Sequence, residues 1–474
     1  MSDNTNGKEI TVPPVADDLG RVFADAGFEL HLVGGSVRDA ILRRPTSDLD
    51  FTTDARPEDT ERLLREACSA VWTAGADFGT IGGRFRGHQV EVTTFRADAY
   101  DRVSRNPIVR YGDSLVDDLE RRDFTVNAMA VSVPGHVFCD PFGGIGDLAR
   151  RTIRTPASPE SSFADDPLRM LRAARFTAQL GFAIDPDVRA AMTAMAAELG
   201  RITAERIREE FVKLLVSPDP VAGLRVLVET GLADQFLPEL GALRMEIDEH
   251  AQHKDVYEHS LQVLRNAVEL DTDGPDAILR LAALLHDIGK PETKGVTEDG
   301  NVTFHHHDVV GARMARKRMR ELKFPKADVQ AVSSLIALHL RFYGYGRDGW
   351  TDSAVRRYVT DAGSELERLH KLVRSDCTTR NRRKAERLRR DYDAFEERIA
   401  RIRAEEDLRA VRPDLDGNAI MELLGLAPGP AIGRAWKHLK ELRLERGPLS
   451  REEAESELLD WAEREGLAPR RDGD

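Results

Sequence analysis

The sequence predicts an α+β protein: an N-terminal head with a mixed sheet, an all-helical neck and body, and a helical domain rich in histidine. Three observations support this. Between residues 21 and 150, short apolar runs alternate with polar residues and are broken by glycine and proline, as in strands and hairpins. After about Pro159, apolar residues recur with helical spacing and strand patterns nearly vanish. Most of the histidines fall between His250 and Asp376.

Composition limits the classes of protein to which the chain can belong. Its 474 residues predict about two to four domains. Hydrophobic residues make up 41% and charged residues 32%, which excludes a disordered chain. The three cysteines, Cys68, Cys139 and Cys377, are too dispersed for a disulfide framework or a zinc knuckle. No apolar stretch is long enough for a signal peptide core or a membrane span, so we expect a cytoplasmic protein with no membrane attachment and no evident protein partner.

The changes in pattern divide the chain into five segments. We expect a flexible tail over residues 1–20, an α+β head over 21–158 and a helical neck over 159–240. A histidine-rich helical domain over 250–376 and a helical C-terminal region over 377–474 follow. Pro218–Pro220 is a further candidate boundary.

Within the head, each element has a local signal. The largely apolar segment Glu29–Val33 predicts a strand, which Gly34-Gly35 ends, and Ser36–Arg43 predicts a helix. Alternation predicts a strand over Asp48–Thr52. Two hairpins are expected, over Arg84–Phe95 and Val131–Asp140.

The strand Asp48–Thr52 carries the first candidate site. Residues two apart on a strand face the same way, so Asp48 and Asp50 project together. Two adjacent carboxylates repel each other, which favours divalent cations between them and a phosphate. Glu91 faces away from its valine neighbours and is a third candidate acid. The alternative is an ordinary polar strand edge.

Just upstream, Gly34 and Gly35 join a strand to a helix. Glycines let the backbone approach a phosphate closely, and Arg38 in the first helical turn can reach phosphate oxygens. An ordinary tight turn is the alternative. A phosphate-binding turn ten residues before paired acids favours a nucleotide site.

Four ordered motifs resemble those of class II tRNA nucleotidyltransferases, the family of bacterial CCA-adding enzymes and poly(A) polymerases. The first joins Gly34–Asp39 to Asp48–Asp50, and the second is Arg121–Ala128. The third is Asp140–Gly144 with Asp147-Leu148, and the fourth is Asp165–Arg169, with Asp165 where the family usually has glutamate. The resemblance implies a polymerase β-type head that adds CMP and AMP from CTP and ATP to the 3′ end of tRNA.

The resemblance also implies the roles of individual residues. Asp48 and Asp50 would bind two Mg²⁺ ions, and Glu91 would assist as a base or outer ligand. The nucleotide-binding residues would be Gly34, Gly35, Arg38, Arg122, Asp123, Asn127, Asp166, Arg169, Arg172 and Arg175. The polar loop from Arg96 to Pro107 resembles a flexible loop linked to the switch from C to A addition.

The chemistry of Asp166 and Arg169 suggests how bases are selected without a template. Cytosine and adenine each present an amino donor beside a ring-nitrogen acceptor, whereas uracil and guanine present the reverse. An aspartate accepts and an arginine donates, so the pair fits C and A. Each mismatch between these side chains and the edge of a wrong base weakens binding of that base by roughly 1–3 kcal/mol. The alternative is that Asp166 caps the following helix and that the arginines form a solvated stripe.

The histidines resemble a second family, the HD phosphohydrolases. His259 precedes His286-Asp287, and His307, His339 and Asp376 follow in the order of that family. Imidazole and carboxylate groups suit a divalent metal whose identity the sequence leaves open. His305 and His306 are alternatives to His307. The resemblance implies a metal site and a phosphohydrolase activity.

The formal net charge of −13 argues mildly against a nucleic-acid ligand, but the local distribution matters more. A basic run begins with Arg380, Arg382, Arg383 and Lys384, which are candidate RNA contacts or a solvated helix face. Three alternatives to CCA addition stay open: a poly(A) polymerase or partial C- or A-adding enzyme, an HD phosphohydrolase with a nucleotide-binding head, and a non-catalytic RNA-binding protein.

Overall fold

A computed structural model describes residues 10–45, 48–96, 111–112, 114–245, 255–342, 350–378, 382–405 and 413–467. The chain divides into two compact units, Met1–Pro238 and Glu239–Asp474. Within the described ranges, no helix combines the length and apolar character needed to cross a membrane.

A mixed sheet of seven strands organises the described part of the first unit. Its strands are β1 (Leu30–Val33), β2 (Asp48–Thr53), β3 (Ala70–Trp72), β4 (Thr80–Phe85), β5 (His88–Thr94), β6 (Ala130–Ser132) and β7 (Phe138–Cys139), in the order β3-β4-β5-β2-β1-β6-β7. β2 and β5 are parallel, and the other neighbours are antiparallel. Both predicted hairpins are present, as β4–β5 and β6–β7.

Among the described residues of the head, five helices accompany the sheet: α1 (Pro14–Asp25), α2 (Gly35–Ile41), α3 (Pro57–Ala67), α4 (Leu115–Glu120) and α5 (Gly144–Arg150). The expected tail over residues 1–20 is wrong from Pro14 onward. Proline at the first helical position favours helix initiation there. Val15, Ala16 and Leu19 are then buried, which fixes the helix by apolar packing.

Helices dominate after Pro159, as expected. They are α6 (Pro159–Asp165), α7 (Leu168–Leu180), α8 (Pro186–Ala194), α9 (Ala204–Leu215), α10 (Pro220–Glu229), α11 (Leu232–Phe236) and α12 (Pro238–Ala242), with a short parallel pair of strands, β8 (Thr152–Ile153) and β9 (Ala183–Ile184). Pro218–Pro220 is a turn inside the first unit rather than a boundary. The Asp219 side chain there accepts a hydrogen bond from the Ala222 N–H and caps α10.

The described residues of the second unit are helical apart from one hairpin and short turns. Its helices are α13 (Val256–Glu269), α14 (Ala277–Leu285), α15 (His307–Glu321), α16 (Lys326–Leu338), α17 (Asp352–Ala362), α18 (Leu366–Ser375), α19 (Arg382–Glu405), α20 (Gly417–Leu424), α21 (Pro430–Arg446) and α22 (Arg451–Arg464). The hairpin, β10 (Lys294–Val296) and β11 (Val302–Phe304), lies where the sequence predicted no strand. Its strands are three residues each, too short for an alternating pattern to be recognised.

Candidate active site and histidine cluster

The three predicted catalytic carboxylates lie on the two parallel strands. Asp48 and Asp50 share one face of β2, and Asp50 is the register partner of Glu91 on β5. Asp48 is exposed, while Asp50 and Glu91 are half-buried. Leu49 and Val90 point to the opposite face and are buried. Packing of the apolar face therefore fixes the direction of all three acids.

The electrostatics of this cluster favour bound cations. Burial raises the pKa of Asp50, and the charges of Glu91 and Asp48 raise it further, while Arg122 and Arg38 act in the opposite direction. Carboxylates that repel one another in a partly buried site gain stability from a divalent ion with oxygen ligands. The residues present thus fit a metal site of this kind.

The glycine turn lies directly beside these acids. Gly34 has φ +69°, and a Cβ there would lie 3.2 Å from Nη1 of Arg122 and 3.8 Å from Oδ2 of Asp50. Ser36 ties the turn to β2, because its Oγ donates to the Asp48 carbonyl (3.2 Å) and accepts from the Asp50 N–H (3.1 Å). A side chain at Gly34 would both strain the backbone and fill the space between a cation and a carboxylate.

Arg38 lies beside the turn, since a Cβ on Gly35 would be 3.5 Å from its Nη2, and hydrogen bonds hold its side chain there. It is buried, donates to both carboxylate oxygens of Asp39 (2.9 and 2.8 Å), and donates to Oδ1 of Asn127 (2.8 Å). The Asn127 amide donates in turn to Oδ1 of Asp123 (3.0 Å). Arg38 therefore supports the second motif from beside the turn, and its contact with phosphate oxygens stays a prediction.

Asp123 and Arg172 continue this chain of contacts. Arg172 donates to Oδ2 of Asp123 through Nε (2.8 Å) and Nη2 (2.5 Å). Burial raises the pKa of Asp123, but Arg172 and Asn127 outweigh it and hold that pKa far below the ordinary carboxyl value. Arg175 donates to Glu210 (2.7 Å), which sequence reasoning missed because a single acid in the polar pattern of α9 carries no signal.

The Arg169 N–H donates to the Asp166 carbonyl (3.0 Å), but the side chains of the two residues are held by different partners. Asp166 accepts from the Leu168 N–H (3.1 Å), as a cap does, and pairs with Arg206 (2.8 Å). Arg169 is 9% exposed and donates to Oγ of Ser162 (2.9 Å) and to the Arg121 carbonyl (2.5 Å). Both residues lie at the start of α7, and base reading by this pair stays a prediction.

A buried acid that sequence reasoning missed links several of these parts. Asp118 is fully buried on α4 and pairs with Arg121 (2.9 Å) and Arg122 (3.2 Å). It also accepts from Oγ1 of Thr52 on β2 (3.2 Å) and from the Arg96 N–H (3.3 Å). Asp118 thus holds Arg122 beside Gly34.

Residues 97–107 of the expected flexible loop lie outside the described residues.

The third motif is structural. Asp140 accepts from the N–H groups of Gly144 (2.6 Å) and Ile145 (3.0 Å) and so starts α5. Asp147 is buried and accepts from Oγ1 of Thr125 (2.6 Å) in the second motif. These contacts fix the second motif against α5.

All six predicted ligands of the histidine domain come together. His259, His286 and Asp376 form one group, and Asp287, His307 and His339 form another, each with ligand atoms within 4.8 Å of one another. Oδ2 of Asp287 lies 3.2 Å from Nε2 of His286, and Oδ1 lies 3.3 Å from Nε2 of His307. His305 and His306 are exposed and are absent from both groups.

The outer ring nitrogens orient these imidazoles. Nδ1 of His286, His307 and His339 lies 2.9, 2.8 and 2.6 Å from the carbonyl oxygens of Ala283, Phe304 and Ile336. Because a carbonyl only accepts, Nδ1 carries the proton, and a neutral ring then presents the lone pair of Nε2 to the cluster. Nε2 of His339 is buried and has no hydrogen-bond partner among the described residues. This is the arrangement of histidines that ligate a metal.

Charge balance in the cluster leads to the same conclusion. Burial lowers the pKa of His286, but Asp287 and Asp376 outweigh it and raise that pKa to about 9. Burial and the nearby charge of His286 lower the pKa of His339 to about 4. A proton on His286 thus partly offsets two buried carboxylates, and a divalent cation would take over that role.

Among the candidate RNA contacts, Arg383 is exposed on α19. Arg380 and the side chains of Arg382 and Lys384 lie outside the described residues. The same helix presents the exposed residues Arg387, Arg389 and Arg390, so its described part carries a basic surface.

Comparison with known proteins follows the same division of the chain. Residues 30–154 match the poly A polymerase head domain, 181–243 the probable RNA and SrmB-binding site of polymerase A, and 256–374 the HD domain. The A-adding tRNA nucleotidyltransferase of Deinococcus radiodurans is 36% identical over 441 residues, which cover 91% of this chain and 95% of that protein. The chain belongs to the tRNA nucleotidyltransferase family. The resemblance inferred from the four motifs and the HD residues is confirmed.

Relatives and solved structures of this family include CCA-adding enzymes. The CCA-adding enzyme of Geobacillus stearothermophilus is 39% identical over 238 residues, half of this chain and 57% of that protein. The crystal structure of the Bacillus stearothermophilus CCA-adding enzyme in complex with CTP has a TM-score of 0.69 and 26% identity, covering 96% of this chain and 99% of that chain. This tRNA nucleotidyltransferase therefore shares its fold with that enzyme, and the predicted α+β architecture is confirmed.

Proposed function

We propose that this tRNA nucleotidyltransferase transfers CMP and AMP from CTP and ATP to the 3′ end of tRNA, building or repairing the CCA terminus without a template. The observation that carries the proposal is the convergence of Asp48, Asp50 and Glu91 on adjacent strands beside the Gly34 turn. The similarity to a CCA-adding enzyme in complex with CTP supports it.

The catalytic roles follow from the chemistry of the site. Asp48 and Asp50 would hold Mg²⁺, with Glu91 beside them as an outer ligand or base. Bound divalent ions supply activation of the RNA 3′-hydroxyl and neutralisation of the triphosphate. Gly34 leaves room for the triphosphate, and Arg122, fixed by Asp118, lies beside it as a cation.

Base selection would use α7. Asp166 and Arg169 lie at its start, where an acceptor and a donor together fit the edges of C and A. Reading a base requires each to exchange a present contact, with Arg206 and with Ser162 and Arg121. The Asp123–Arg172 pair and the Arg175–Glu210 pair anchor the rest of the helix.

Addition of AMP alone is a second candidate. It is favoured because the relative matched over 95% of its length is named an A-adding enzyme, whereas the CCA-adding relative from Geobacillus stearothermophilus is matched over 57%. The two activities share the carboxylates and the glycine turn. They differ in whether a transcript lacking all three terminal nucleotides is a substrate.

The deciding experiment uses two tRNA transcripts, one lacking the whole CCA end and one ending in CC. Each is incubated with CTP, ATP or both, and the added nucleotides are sequenced. Restoration of CCA on the first transcript supports the main proposal, and extension of the second alone supports A addition. Long A tails, or incorporation of U and G, would contradict both.

Variants then test the assigned roles. Asp48→Ala combined with Asp50→Ala should abolish addition, while His286→Ala in the HD domain should leave it intact. Loss of addition in His286→Ala at unchanged thermal stability would show that the two sites are not independent.

A location in the cytoplasm belongs to the same proposal, because the described cysteines are free thiols and suit a reducing compartment.

The HD cluster would hold a divalent metal and support hydrolysis of a phosphoester. Six ligands and three oriented imidazoles carry this proposal. Metal content by elemental analysis should fall in His339→Ala, and hydrolysis of bis(p-nitrophenyl) phosphate should fall with it. Full metal content in that variant would exclude His339 as a ligand.

The basic surface of α19 would contact the tRNA backbone.

A further inference from the structure

One aromatic side chain lies on the catalytic face of the sheet without a role in the scheme above. In the paired strands, Trp72 on β3 is opposite Gly82 on β4, Gly82 is opposite Glu91 on β5, and Glu91 is opposite Asp50 on β2. Register partners project their side chains to the same face of a sheet. Trp72 therefore faces the same side as the catalytic carboxylates, in one transverse row with them.

The indole extends from the sheet edge toward these acids. A Cβ built on Gly82 would lie 1.9 Å from Nε1, 2.3 Å from Cε2 and 2.7 Å from Cδ1 of Trp72. The ring thus lies directly over Gly82, one strand from Glu91 and two strands, ~10 Å, from the backbone of Asp50. No residue other than glycine at position 82 leaves this space to the ring. Trp72 itself is half-buried, so part of the ring remains accessible.

A cation lies in the neighbouring row on the same face. Arg84 is opposite Gln89, which is opposite Asp48, and Arg84 is exposed. An aromatic ring next to an arginine, along a path that leads to catalytic carboxylates, is the combination with which proteins hold single-stranded nucleic acid. The base stacks on the ring, and the cation contacts the backbone.

The position relative to the nucleotide site indicates which part of the substrate would lie there. Gly34 follows β1, and Arg122 and Asp50 lie beside it, so the triphosphate belongs to the β1 side of β2. Trp72 lies on the other side, beyond β5. In an in-line displacement the attacking hydroxyl and the leaving group are on opposite sides of the phosphorus. The RNA 3′ end would therefore approach from the side of Trp72.

We infer that Trp72, seated over Gly82, is a stacking platform for the 3′-terminal base of the RNA substrate, with Arg84 contacting the adjoining phosphate. The identification of this RNA as tRNA rests on the proposed function. A merely structural role is the competing explanation, because an aromatic ring over a strand glycine also stabilises a sheet edge. Leucine at position 72 would cover Gly82 with apolar atoms but offer no π face, which separates the two roles.

The test measures equilibrium binding of tRNA transcripts that lack the CCA end, with an intact or an abasic 3′-terminal nucleotide. For the unaltered enzyme we expect the abasic RNA to bind about fivefold to 150-fold more weakly, the range for loss of one base–aromatic stack. Trp72→Leu should bind the intact RNA with the same loss and show no further loss with the abasic RNA. Trp72→Phe should recover part of the affinity.

Controls keep the outcome specific. Val71→Ala alters the opposite face of the same strand and should bind RNA normally, so weakened binding in that variant would indicate damage to β3. KM for CTP should be unchanged in Trp72→Leu, because the nucleotide lies on the other side of β2. The inference would be overturned if Trp72→Leu bound the intact RNA as tightly as the unaltered enzyme does. It would also be overturned if Trp72→Leu bound the abasic RNA more weakly than the intact RNA, so that the two losses of affinity multiply. Failure of the unaltered enzyme to add nucleotides would contradict the proposed function but leave this binding test valid.

Discussion

Replacing Asp123 by asparagine should destabilise the first unit more than most single substitutions do. The carboxylate is 9% exposed and accepts from Arg172 at 2.8 and 2.5 Å, from Asn127 at 3.0 Å and from the Phe124 N–H at 2.8 Å. Asparagine has nearly the same shape but no charge. It leaves the Arg172 guanidinium with only the more distant Glu210 carboxylate, 3.6 Å away, as a counter-ion, and it can keep only part of the hydrogen bonding.

Removing one partner of a buried ion pair costs about 3–5 kcal/mol. The Arg172 side chain is 32% exposed, so solvent screens the pair and we expect the lower end, about 3 kcal/mol. For a unit of this size, each kcal/mol lowers the midpoint of thermal unfolding by about 2–4 °C. The expected fall is therefore about 6–12 °C.

Differential scanning calorimetry is the suitable assay, because two units need not unfold in one transition. Arg172→Met should lower the same transition, and the double variant should lose less than the sum of the single losses by more than about 1 kcal/mol. Additive losses, or a midpoint within 2 °C of the original protein in Asp123→Asn, would refute the reasoning.

The pH dependence gives a further check on Asp123. Its pKa in the folded protein is far below the ordinary value of about 3.9, so the pair stabilises the fold above that ordinary value. The contribution is lost as pH falls through the folded-state pKa. The difference in stability between the original protein and Asp123→Asn should therefore persist at neutral pH and shrink below about pH 4.

Three other substitutions have distinct expected outcomes. Asp50→Asn should abolish nucleotide addition yet raise stability in metal-free buffer by roughly 0.5–2 kcal/mol, because burial and Glu91 disfavour the charged form; a lower melting temperature in EDTA would contradict this. Gly34→Ala should cost about 1–2 kcal/mol from its left-handed φ of +69° and also raise KM for CTP; unchanged kinetics would exclude a triphosphate contact at the turn. Asp118→Asn should cost about 3–5 kcal/mol by urea unfolding, since it removes the buried negative charge that pairs with Arg121 and Arg122. A loss under 1 kcal/mol would show that water replaces the carboxylate.

Local patterns in the sequence were sufficient for the strands and hairpins around the acids that face one another, but they did not predict α1 or the β10–β11 hairpin. The alternation around Asp48 and Asp50 fixes their common direction, because the side chains of a strand alternate between its two faces. The order of the HD ligands likewise predicted a cluster that the structure forms from all six residues. Periods of two and 3.6 residues and ordered motifs are properties of the chain itself, so no tertiary information is needed to read them.

Tertiary structure decided which polar groups are partners. Glu210 and Asp118 carry no signal in the sequence. In the structure, Glu210 accepts a hydrogen bond from Arg175, 35 residues away, and Asp118 accepts one from Arg122, four residues away. The same holds for Trp72, whose place near the carboxylates depends on β3 pairing with β4 and on β5 lying parallel to β2. Sequence determined the faces of each strand and helix, because their period is local. The order of the strands, and with it the neighbours of each charge, follows from how the whole head buries its apolar surface.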